Sequence, residues 1–88
     1  MRLGKRGRMN QETNRKLAEM FLKKGITHCE NCGSTWALTW AHRMKRRYYS
    51  TVDELTDFDQ VALLCVRCHN AIEFSREKTE ELFGRLRG

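Results

Sequence analysis

Two cysteine pairs, Cys29-x-x-Cys32 and Cys65-x-x-Cys68, dominate the chemistry this chain could perform, and His69 follows the second pair directly. Four thiolates in two such knuckles can close a tetrahedral shell around one zinc ion, because the two-residue spacing lets a tight turn aim both sulfurs at one metal. Thirty-two residues separate Cys32 from Cys65, more than a minimal zinc finger needs. The interval therefore builds something besides the metal site. It contains a single histidine, His42, and His69 stands just outside the thiolate shell. Imidazoles titrate near neutral pH and ligate metals, so two histidines beside a zinc-stapled platform point to proton transfer or to a second cation.

The four cysteines could instead form two disulfides, which would require an oxidising compartment. Met1 to Asn10 is basic and contains no apolar run of the kind a signal peptide uses. No stretch approaches the roughly 20 apolar residues of a membrane span. The expectation is structural zinc in a cytoplasmic protein. Eighty-eight residues make one domain, and a chain this short buries only about 60–65% of its unfolded surface. Zinc binding worth roughly 10–16 kcal/mol offsets that marginal core, so chelation should unfold the protein.

Seventeen Lys and Arg against eleven Asp and Glu give a net charge of +6, unevenly spread. Arg2, Lys5, Arg6 and Arg8 form one cluster; Arg43, Lys45, Arg46 and Arg47 form another immediately after His42. Such patches neutralise phosphates and give affinity for nucleic acid without sequence information. A solvated surface is the bland alternative. Because the second cluster adjoins His42, phosphate binding is expected there, whereas residues 1–9 read as a basic, flexible arm preceding a single domain over residues 10–88.

The elements that must hold these groups follow from periodicity. Asn10 to Lys24 has helical spacing, with Leu17, Met20 and Phe21 on one face, Asn10 as N-cap and Gly25 closing the helix. The apolar face should pack on the zinc core. Trp36 to His42 reads as a short strand ending at His42, and both tryptophans are expected to pack rather than stack on bases. Arg43 to Gln60 is a long polar loop with a helical turn near Thr51 to Leu55. Val61 to Leu64 reads as a second strand entering the second knuckle. From Cys68 the chain looks helical, with Ser75 as a local cap and Leu82, Phe83 and Leu86 at helical spacing. The fold class is α+β: strand, loop, strand and helix around a zinc staple, flanked by N- and C-terminal helices.

From His28 to about Glu73 the chain resembles the small zinc-containing HNH endonucleases common in phages and prophages. The resemblance rests on Cys29-Glu30-Asn31-Cys32-Gly33, on Trp40-Ala41-His42-Arg43, and on Val61 through Asn70 with its second knuckle and histidine. It implies a ββα-metal (His-Me finger) fold and metal-dependent hydrolysis of DNA phosphodiester bonds in a bacterial cell. His42 matches the general base. His69 matches a ligand of a catalytic divalent metal (Mg²⁺, Mn²⁺ or Ni²⁺), and the cysteine zinc is structural. Arg43, Lys45, Arg46 and Arg47 would bind the DNA. The chain departs from the pattern twice. Ala41 stands where the family has an acidic metal ligand, and Gln60 stands where it has an asparagine. A methyl group binds no metal, so His69 needs another partner, for which Asp53, Glu54, Asp57 and Asp59 are the candidates. Gln60 keeps an amide that can position the loop beside the base. The competing reading is an inactive module of the same fold that binds DNA or a protein partner.

Overall fold

The computed structural model describes residues 5–88. Its elements run α1 (Lys5–Lys23), β1 (Leu38–His42), α2 (Val52–Leu55), β2 (Val61–Cys65), α3 (Val66–Ile72) and α4 (Arg76–Arg87), with 3-10 turns at Arg46–Tyr48 and Phe58–Gln60. Among the described residues no helix is long and apolar enough to cross a membrane.

β1 and β2 pair antiparallel, Leu38 opposite Cys65 and His42 opposite Val61. All five residues of β2 are buried, since its two faces meet two different partners. Ala62 and Leu64 pack with Cys29, Ala41, Leu82 and Phe83, so α4 covers one face together with the knuckles. Val61 and Leu63 pack with Leu17 and Phe21, so the apolar stripe of α1 covers the other. A strand clothed on both faces reads as a continuous apolar run rather than an alternation. β1 is less buried, and only Ala41 is fully enclosed.

Local chemistry bounds α1, α2 and α4. Gly25 takes φ +75° after α1, and its N–H donates to Leu22 O at 3.0 Å. The Thr51 hydroxyl caps α2 by accepting from Glu54 N, and Ser75 caps α4 by accepting from Lys78 N, both at 3.2 Å. α1 begins at Lys5 rather than Asn10, so residues 5–9 are helical instead of a flexible arm; Arg2 lies outside the described residues. Asn10 is accordingly no cap: its side-chain oxygen accepts from Arg46 at 3.2 Å. β1 starts at Leu38 because Ala37 takes a left-handed φ of 54°, which breaks the strand and leaves Trp36 82% exposed rather than packed. Trp40 does pack, edge-on to Phe21 with ring centroids 5.0 Å apart.

A buried ion pair fastens the C-terminus to the first knuckle. Glu30, between Cys29 and Cys32, accepts from both terminal nitrogens of Arg87 at 2.7 and 3.0 Å, and its carboxylate also accepts from Leu63 N at 2.7 Å. Arg87 further donates to Phe58 O and Val61 O and stacks 3.7 Å over the Phe58 ring. Side-chain exposures of 5% for Arg87 and 10% for Glu30 leave this pair almost dry. Knuckle, β2 and α4 are thereby locked together.

Candidate metal centre and histidine cleft

The cysteine sulfurs of Cys29, Cys32, Cys65 and Cys68 all lie within 4.8 Å of one another. Cys32 Sγ and Cys65 Sγ are 3.6 Å apart, where a tetrahedron with 2.3 Å zinc–sulfur bonds requires about 3.8 Å. The donor set fits a structural zinc ion. Each knuckle is built by its own turn. Gly33 at φ +83° lets its N–H reach Cys29 O at 2.8 Å, curling the first pair around the site. Cys65 and Cys68 instead bracket the first turn of α3.

The thiol acidities report the same crowding. At Cys29 the cost of burial is outweighed by the N–H groups of Cys32, Cys65 and Asn31, which lower the pKa to about 6. The Cys68 backbone N–H lowers Cys65. The Asn31 amide, donating at 3.2 Å, favours the Cys68 thiolate, but burial and the neighbouring sulfurs push that group up to about 12. Four sulfurs this close cannot all lose their protons without a cation between them.

His42 ends β1, and its Nε2 lies 2.9 Å from Leu55 O at the end of α2. A carbonyl can only accept, so Nε2 carries the proton and Nδ1 keeps a free lone pair. Burial, with smaller contributions from Arg46 and His69, lowers its pKa to about 4, so the ring is neutral at neutral pH. His69 is held just as definitely. Thr39 donates its one hydroxyl proton to Leu64 O at 2.9 Å, so the 2.8 Å contact with His69 Nδ1 requires Nδ1 to donate. With Nδ1 engaged by Thr39, Nε2 is the nitrogen of His69 through which a metal would be ligated.

Both histidines line one open cleft of about 990 Å³. Its walls also carry Arg43, Lys45, Arg46 and Arg47 from the expected basic cluster, together with Arg76. Arg43 pairs with Glu80 at 3.2 Å, Arg46 donates to Asn14 at 2.9 Å, and Arg47 lies 5.2 Å from the Tyr48 ring centre. Gln60 does hold the loop beside His42. Its side-chain amide oxygen Oε1 accepts from Tyr49 OH at 3.1 Å, that hydroxyl accepts from Met44 N, and the Tyr49 ring stands 5.5 Å from the His42 ring. Burial raises the Tyr49 hydroxyl above its ordinary pKa, so it stays protonated and keeps donating.

The four loop acids lie in short turns of their own. Asp53 and Glu54 sit in the first turn of α2, where Glu54 accepts from Ser50 N at 3.2 Å. Asp57 caps the following 3-10 turn through Asp59 N at 3.0 Å, and Asp59 lies within that exposed turn. None of the four lines the cleft. Two carboxylates do: Glu80, which pairs with Arg43, and Glu73, four residues after His69 and one helical turn along from it. The His-x-x-x-Glu spacing was available in the sequence as its signal.

No protein-family model matches this chain, and no curated protein or solved structure matches it either. The functional reading rests on the geometry.

Proposed function

We propose that this chain is a metal-dependent endonuclease of the HNH, ββα-metal type that hydrolyses DNA phosphodiester bonds in the basic cleft. The observation that carries the reading is a pair of imidazoles, each anchored by one short hydrogen bond, in the same cleft. His42 offers an Nδ1 lone pair as base and His69 an Nε2 lone pair as ligand, both in one cationic cleft. His42 Nδ1 takes a proton from water, the water oxygen bonds to phosphorus, and the bond to the sugar oxygen breaks, its electron pair passing to that oxygen, which takes up a proton from solvent. A bound phosphate anion stabilises the imidazolium and so draws the pKa of His42 up from about 4 toward the useful range. His69 and Glu73 are the groups that would hold a divalent cation, which when bound supplies Lewis-acid polarisation of the phosphate. Arg47 and Lys45, both exposed, fit phosphates, while Gln60 and Tyr49 hold the loop beside His42.

One observation favours the competing reading of an inactive DNA- or protein-binding module. Ala41 is buried among Cys29, Leu64 and Phe83, so the place of the family's acidic ligand faces the core. Nicking of supercoiled plasmid with Mg²⁺, Mn²⁺ or Ni²⁺ separates the two. The endonuclease reading expects metal-dependent open circles; DNA binding without nicking under all three ions belongs to the inactive module.

A further inference from the structure

Two large aromatic side chains stand in the cleft with little to cover them. Phe74, in the connection between α3 and α4, is 90% exposed, and Tyr48, in the 3-10 turn after β1, is 62% exposed. Rings of this size are ordinarily buried, because each carries a large apolar area. Neither belongs to the core clusters, and Tyr49, next in sequence to Tyr48, is enclosed beside His42. The chain therefore buries one tyrosine of the pair and presents the other.

Their surroundings define what they can receive. Phe74 directly follows Glu73 and lies five residues beyond His69. The Arg47 guanidinium donates to Tyr48 OH at 3.5 Å and sits against its ring. Five Lys or Arg side chains line the cleft against two carboxylates, Glu73 and Glu80. Exposed rings inside a cationic groove are the combination that holds unpaired nucleotides, cations tracking the backbone while each ring stacks on a base. A continuous duplex offers no such faces, since its bases are already stacked on one another. Phosphate contacts alone would leave the two rings without a role.

We propose that Tyr48 and Phe74 stack on unpaired bases, so that the cleft takes single-stranded or splayed DNA in preference to continuous duplex. This rests on the DNA-cleaving reading of the same cleft and names its substrate class. The test is binding of the zinc-loaded full chain to a fluorescent oligo(dT) strand and to a blunt hairpin duplex, with no divalent metal added and at several salt concentrations. The wild type should bind the single strand more tightly. Phe74→Ala and Tyr48→Ala should each weaken oligo(dT) binding by about 5- to 150-fold, the worth of one base–ring stack, with the salt slope unchanged. Phe74→Trp should retain binding, and duplex affinity should stay within about twofold. Phe74 is almost wholly exposed, so its replacement leaves the fold intact. Binding that ignores both alanine variants, or that falls equally for strand and duplex, overturns the proposal. Because no cleavage is read, a protein that stacks on oligo(dT) but never nicks refutes the endonuclease reading and leaves this one standing.

Discussion

The cysteine cluster and the histidine cleft are built by opposite strategies. Each cysteine pair is positioned by a turn of its own: Gly33 closes the first knuckle, and the start of α3 carries the second. Only the docking of knuckle on knuckle requires the rest of the fold, and Glu30 with Arg87 secures it. The cleft has no such local determinant. His42 hydrogen-bonds Leu55, thirteen residues away, and His69 hydrogen-bonds Thr39, thirty residues away. The knuckles are thus defined locally, while the cleft exists only when strands, loop and α3 are all in place. Structure is concentrated at the cysteine cluster and adjustable chemistry in the cleft beside it.

The most severe way to break that contrast is to remove the metal. Chelation, or Cys65→Ser, should abolish cooperative folding, because finger-type zinc sites contribute roughly 10–16 kcal/mol in a chain with a marginal core. Circular dichroism with parallel metal analysis checks this, and one zinc per chain is the expected content. Disulfides in the native protein would contradict the assignment.

Arg87→Ala comes next. It strands the Glu30 carboxylate in a nearly dry site and removes the clamp on Phe58 O and Val61 O. Breaking a buried pair in this way costs about 3–5 kcal/mol, readable as a lowered urea midpoint. Knuckle and sheet should both suffer, since the pair joins them.

A smaller effect isolates the cleft. Burial holds the pKa of His42 at about 4, below the 6.5 of an unperturbed histidine. The unfolded chain therefore binds this proton first as pH falls, and stability is lost between about pH 6.5 and pH 4, not at higher pH. Between pH 7 and pH 5 this group alone should cost about 2 kcal/mol. Urea titrations at the two pH values should show the difference in the wild type and a smaller one in His42→Ala. Protonation of the zinc ligands acts on both proteins alike.

What was legible in the sequence follows the same division. The knuckles, the β2 run, the Thr51 turn and the Ser75 cap each depend on residues within a few positions of one another, and all appear where spacing placed them. The misses needed tertiary context. α1 extends back to Lys5, through positions with no apolar periodicity, and Asn10 and Asn14 within it accept from Arg46. Trp36 faces solvent because one residue, Ala37, turns left-handed. The loop acids were attractive by proximity in sequence to His42, yet they cap and close their own short turns. Glu73 is the exception, since its four-residue spacing from His69 is local and was open to reading in the sequence.

If His42 is the base of a DNA-cleaving cleft separate from the zinc staple, plasmid nicking should collapse in His42→Ala. Rates are compared with wild type at saturating Mn²⁺, alongside zinc content and thermal midpoint. The account predicts a loss of about 10²–10⁴-fold in rate with one zinc and the fold retained. Nicking that persists undiminished in His42→Ala would contradict it.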